Sequence, residues 1–195
     1  MFALSFHEFA HAWMAAKCGD DTAARMGRLT LNPMAHLDIM GSLMILFVGF
    51  GWAKPVPVNP SNFKNPRNDM IKVAFAGPAS NLILALIGGC FMRLNTIFSF
   101  NSNETILISL YFFIFINISL AIFNLIPIAP LDGAQIFGNY ISKYNPDMAW
   151  KLQIYGPKIL MLIIIIGIIT PFSPIAFIIM PIIKIFMFLF SGINF

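Results

Sequence analysis

Apolar residues in this chain gather into long runs separated by short polar, proline-rich intervals. Four such runs stand out: Met1 to Ala16, Ile71 to Leu94, Ile106 to Pro127 and Ile159 to Phe190. A helix needs about 20 apolar residues to cross a bilayer, so the second and third are full spans and the first is short. The fourth is too long for one span, and the breaker Thr170-Pro171-Phe172-Ser173-Pro174 predicts a helical hairpin there. A shorter run, Ile39 to Trp52, carries Gly41, Gly49 and Gly51 and has the length of a re-entrant or interfacial segment. After it, Trp52-Ala53-Lys54-Pro55-Val56-Pro57-Val58-Asn59-Pro60 has proline at alternate positions near its centre, which predicts an extended chain. The pattern predicts an all-α polytopic membrane protein: three core helices, a C-terminal helical hairpin, and a re-entrant or extended segment between the first two core helices.

Composition agrees with that pattern. Of 195 residues 58% are hydrophobic and 10% charged, where a soluble domain carries about 25% charged residues. A net charge of +4 would suggest nucleic acid in a soluble protein; here it reflects basic loops, and no nucleic-acid partner is expected. If Ile39–Trp52 enters and leaves on one side, ten Lys and Arg residues fall on one face and Arg93 alone on the other, with Lys184 inside the last run. The positive-inside rule then makes the basic face cytoplasmic, in an inner-membrane protein. Cys18 and Cys90 are too few and too far apart for a disulfide framework.

Into the first apolar run is set His7-Glu8-Phe9-Ala10-His11. Histidines at i and i+4 project from one helical face, the spacing that grips one zinc ion, and the glutamate between them holds the position of a general base. Ionisable groups are expensive in hydrocarbon, which makes a functional site the default explanation. A catalytic zinc wants a third protein ligand and one open position. Asp132, in Asn124-Leu125-Ile126-Pro127-Ile128-Ala129-Pro130-Leu131-Asp132-Gly133, closes the third run at the same membrane face as the histidines. It can be that ligand or a helix cap in a loop, and both readings stand on pattern alone. A di-iron site is excluded, because it needs four glutamates and the chain has only Glu8 and Glu104.

Three further groups carry polar chemistry. Ala76-Gly77-Pro78-Ala79-Ser80-Asn81 interrupts the second span with small residues that let a neighbouring helix approach. Asn81 is either interhelical glue or a donor to a developing oxyanion or substrate backbone. Asn117 and Asn124 share one face of the third span. His36 and Asp38, in Leu31-Asn32-Pro33-Met34-Ala35-His36-Leu37-Asp38, suggest a polar loop network rather than metal ligands.

Five segments in this order, HEFAH, GRLTLNPMAHLD, GWAKPVPVNP, FAGPASN and NLIPIAPLDG, resemble the site-2 protease family of intramembrane zinc metalloproteases, specifically its small branch without a PDZ domain. The likeness runs from Met1 to about Gly133. It implies His7, His11 and Asp132 as Zn2+ ligands, Glu8 as catalytic base, and Asn81 in contact with substrate or transition state. It further implies a membrane-embedded protein substrate, as in regulated intramembrane proteolysis. The competing expectations are a metal-binding membrane transporter and a catalytically inactive regulatory homologue. The chain is expected to form one membrane domain, with a protease core over 1–133 and a cytoplasmic loop plus hydrophobic hairpin over 134–195. Because the family has a long apolar run before its metal motif and six residues precede His7 here, the first helix is expected to be truncated at its N-terminus.

Overall fold

A computed structural model describes residues 1–48, 51–100 and 103–193. Among the described residues the regular elements are helices: α1 (Phe2–Lys17), α2 (Thr22–Arg25), α3 (Pro33–His36), α4 (Ile39–Val48), α5 (Pro66–Phe98), α6 (Glu104–Asn124), α7 (Asp132–Ile141), α8 (Pro146–Ile169) and α9 (Pro174–Ser191), with a 3₁₀ turn at Pro60–Asn62. Four of these, α5, α6, α8 and α9, are long and apolar enough to cross a membrane. The protein is therefore a multi-pass membrane protein, as the apolar pattern predicts.

Helix starts are written in a recurring dipeptide. Asn32-Pro33, Asn65-Pro66, Asn145-Pro146 and Ser173-Pro174 open α3, α5, α8 and α9; in each, the side chain of the first residue accepts a backbone N–H of the first turn. Proline at the first helical position costs nothing, because its missing N–H would have had no intrahelical partner. The same rule explains where the elements outrun the apolar runs. The fourth run begins at Ile159, but its helix starts at the Asn145-Pro146 signal, 13 residues earlier. The segment between Asp132 and that start holds α7. The third run reaches Pro127, yet α6 ends at Asn124 ahead of the two prolines.

The main packing layer is α5 against α6 and α9. Ala85 and Met92 of α5, Ile114 and Ile118 of α6, and Ile183 and Met187 of α9 form one buried cluster. Between lipid-exposed helices the hydrophobic effect offers little, so close backbone approach and polar links decide the pairing. A Cβ added at Gly89 would sit 2.7 Å from the backbone of Phe190. The Arg93 guanidinium donates to the carbonyls of Phe188, Leu189 and Phe190 in the last turn of α9, where intrahelical donors run out. On the other side of α5 lies α1, whose Ala15 packs with Phe63 and Val73.

The stretch from Gly51 to Asn59 is not helical, as its prolines require. Leu37 and Ala53 form an isolated antiparallel bridge, and Lys54 N donates to His36 O at 2.9 Å. Gly49 and Phe50 of the re-entrant expectation lie outside the described residues; Ile39–Val48 of that run forms α4, opened by Asp38 Oδ1 accepting Gly41 N, and Gly51 and Trp52 are not helical.

Asp20 ties the end of this stretch to α1. It is fully buried and accepts from the N–H and hydroxyl of Thr22, the N–H of Asn59 and the amide of Asn62. Burial alone would raise its pKa, but the bonds from Thr22, Asn59 and Asn62 outweigh that and lower it below the ordinary carboxylate value. A depressed folded pKa means the stabilisation is complete above the unfolded value, about 3.9, and fades as pH falls through the folded one. Asp20→Asn is therefore expected to lower the thermal unfolding temperature at neutral pH, with the gap from wild type closing as pH drops below about 4. Melting curves in detergent across that range check it, and a gap independent of pH counts against it.

Candidate metal centre

Two helices and one loop build the site. On α1, His7 and His11 stand one above the other, with ring centroids 4.6 Å apart. Asp132, the first residue of α7, is delivered by the loop that follows α6. Its approach depends on Gly133, where a Cβ would collide with the carbonyls of Leu125 and Ile126. The three ligand atoms converge: His7 Nε2 lies 3.0 Å from His11 Nε2 and 3.1 Å from Asp132 Oδ2, and His11 Nε2 lies 3.4 Å from Asp132 Oδ1.

The protonation of the two rings follows from what lies behind them. His7 Nδ1 is 2.7 Å from Asn81 Oδ1, and His11 Nδ1 is 2.7 Å from the carbonyl of Val73. Both partners are oxygens that only accept, so both Nδ1 atoms carry hydrogen and both Nε2 atoms are turned toward Asp132. Asp132 Oδ2 is buried without a hydrogen-bond donor. Two imidazole nitrogens and a carboxylate converging on one point can hold a cation between them. Bonds of about 2.0–2.1 Å in a tetrahedron set ligand atoms about 3.3 Å apart, which matches the observed separations and suits Zn2+ with one position left open. His7, His11 and Asp132 are the set among the described residues that can hold a metal ion.

Asn81 stands against His7, its Oδ1 on the ring's Nδ1. It is fully buried, and its amide nitrogen donates to Ala3 O at 3.0 Å and to Asn117 Oδ1 at 2.9 Å. With its oxygen on His7, no hydrogen is left for an oxyanion, and Asn81 is absent from the cavity wall. Its geometry is that of a strut behind a ligand, which fixes tautomer and ring orientation. Asn117 is the interhelical partner in that strut, whereas Asn124 bonds its own helix through Leu120 O and lines the cavity. His36 Nε2 bonds Thr30 O at 2.8 Å, a loop contact remote from the three ligands.

The cavity in front of the site measures about 630 Å³. Its lining includes Glu8, His7, His11 and Asp132, Val73 of α5 and Phe123 of α6, Leu160 and Ile164 of α8, and Pro55, Val56 and Val58 of the extended stretch. Glu8 is 9% exposed, and its Oε2 accepts the N–H of Val56 at 3.2 Å. The site thus presents three convergent ligands, an unliganded carboxylate next to them, and a mostly apolar chamber large enough for a peptide segment.

Two features were not singled out by sequence. Gly77 faces the histidines: a Cβ there would lie 2.6 Å from His7 Nε2 and closer still to His11 Nε2. The small-residue segment Ala76-Gly77-Pro78-Ala79 does signal close approach, but what approaches is a pair of imidazoles. The backbone contacts from Val73 and Val56 leave no trace in side-chain identity.

This arrangement defines a class, the membrane-embedded zinc metallopeptidases, and comparison with known proteins agrees. The pattern of Peptidase family M50 matches residues 88–167, which include Asp132 but not the histidines. YwhC of Bacillus subtilis (strain 168), which carries the name of a zinc metalloprotease, is 43% identical over 158 residues, 79% of this chain and 72% of that protein. Rip2 of Mycolicibacterium smegmatis, with the same kind of name, is 30% identical over 152 residues, and the match covers 75% of this chain and 56% of that protein. Rip2 of Mycobacterium tuberculosis is 32% identical over 140 residues, with 52% of its length covered. The chain belongs to peptidase family M50, the site-2 protease family, whose metal is zinc. No solved structure matches it.

Proposed function

We propose that this protein is an intramembrane endopeptidase that hydrolyses peptide bonds in or beside the transmembrane segments of membrane proteins, in regulated intramembrane proteolysis. His7, His11 and Asp132 hold the zinc, and Glu8 is the general base. The observation that carries this reading is the unliganded Glu8 at the edge of a three-ligand centre, inside a chamber lined by spanning helices. A purely structural metal site has no use for such a base. Zinc, when bound, supplies Lewis acidity and brings the pKa of water to about 7.

The chain's own residues do the rest. Glu8 takes a proton from the attacking water and passes it to the leaving amine. The Asn81 and Val73 oxygens hold the imidazoles to one tautomer. The apolar walls of α5, α6 and α8 exclude bulk water, which strengthens each electrostatic contact within. A helical substrate must unwind to expose its carbonyls, and the extended Pro55–Pro60 stretch suits an unwound strand. With Ile39–Trp52 returning to the side it left, ten basic residues gather on one face, which supports a site at the cytoplasmic face of the inner membrane.

Metal removal tests this. Purified protein is expected to cleave a single-span reporter, to stop after treatment with a zinc chelator, and to recover on stoichiometric Zn2+. Cleavage that persists in metal-free protein, or zinc movement across proteoliposomes that survives Glu8→Gln, would favour another function.

A further inference from the structure

Arg28 is 6% exposed, and among the described residues it forms no ion pair. A buried guanidinium without a carboxylate is costly, so its neighbours must justify it. Its Nη2 donates to two backbone carbonyls, those of Lys54 and Pro55, the latter at 3.2 Å. Its Nε is buried with no partner, so the side chain is committed to that one stretch.

The stretch is the one that touches Glu8. Lys54 N is fixed on His36 O at 2.9 Å. Pro55 and Pro57 have no N–H, which leaves Val56 as the only donor in the Pro55-Val56-Pro57 run. That donor goes to Glu8 Oε2 at 3.2 Å. The chain is stiff at this point, because proline fixes its own φ and restricts the residue before it. Fixing the carbonyls of Lys54 and Pro55 therefore fixes the next N–H along. A glutamate side chain has three rotatable bonds, and an anchored donor on one oxygen selects a single pose.

We propose that Arg28 is a positioning residue for Glu8: by pinning the Lys54 and Pro55 carbonyls, it sets the Val56 N–H that holds the glutamate carboxylate at the metal centre. This rests on the reading of Glu8 as the base.

The test uses the full zinc-loaded chain in detergent and three variants, Arg28→Gln, Arg28→Lys and Val56→Pro. Hydrogen–deuterium exchange over residues 53–58 follows the amides of Lys54 and Val56 without reference to activity. In Arg28→Gln these amides are expected to exchange faster while zinc content stays unchanged. The kcat for a single-span reporter should fall roughly 10- to 100-fold, the usual cost of losing an outer partner that orients a metal-site group, and KM should move much less. Arg28→Lys should recover part of kcat. Val56→Pro, which deletes the N–H from an already extended chain, should lower kcat to a similar degree with Arg28 intact. The double variant Arg28→Gln/Val56→Pro should be no worse than either single one, because both cut the same link. Additive losses, unchanged exchange in Arg28→Gln, or zinc lost in step with kcat would overturn the proposal. An active Glu8→Gln variant sinks the reading of Glu8 itself and this proposal with it. An inactive Glu8→Gln beside a fully active Arg28→Gln sinks only the proposal.

Discussion

Replacing Glu8 by Gln is expected to abolish peptide hydrolysis while leaving bound zinc in place. The amide has the shape of the carboxylate and can still accept the Val56 N–H, so the extended stretch keeps its anchor. What it loses is the ability to take a proton. General acid–base catalysis contributes about 10²- to 10⁴-fold, enough to push cleavage of a membrane reporter below detection. Zinc is expected to remain stoichiometric by elemental analysis, because the convergent donors are His7, His11 and Asp132, not Glu8. Joint loss of zinc and activity would mean that Glu8 is a ligand and would recast the site.

Gly77→Ala is expected to do the converse, removing the metal while sparing the fold. In an ordinary helix interior this change stabilises by roughly 0.5–1 kcal/mol, since alanine is the better helix former. Here the new methyl would stand 2.6 Å from His7 Nε2 and nearer to His11 Nε2, on the atoms that converge with Asp132. The imidazoles cannot retreat without breaking their bonds to Asn81 and Val73. Overpacking of this kind costs about 1–3 kcal/mol, which the site would show as a roughly ten- to hundredfold weaker hold on zinc. Zinc titration by competition with a chelating dye, beside thermal unfolding of the metal-free protein, separates the two effects. Unaltered affinity would mean that the helices shift to absorb the methyl.

Much of this was legible in the residues themselves. The apolar runs foretell the spanning helices, and the Thr170–Pro174 breaker falls between α8 and α9. The His-Glu-x-x-His spacing needs only helical geometry to be read. Helix starts are less legible in the apolar runs, because the Asn-Pro and Ser-Pro dipeptides that cap the first turn set them instead. Asn81 shows a deeper limit. A buried amide can face a substrate or brace a ligand with the same side chain, and only the placement of Ala3, His7 and Asn117 around it distinguishes them. Arg28 was equally opaque: in sequence it is one more basic loop residue, and its partners are backbone carbonyls 26 and 27 positions away.

The Asn81 junction also decides what sets the depth of the metal centre. Asn81 joins the carbonyl of Ala3, the ring of His7 and the amide of Asn117 at one level, so α1 is indexed against α5 and α6. Those two are long and apolar enough to span, and the histidines take their depth from them. Lipid thickness would then be felt by the histidines through α5 and α6, and a one-residue slide of α1 would break both of its links to Asn81 at once rather than simply raise the site.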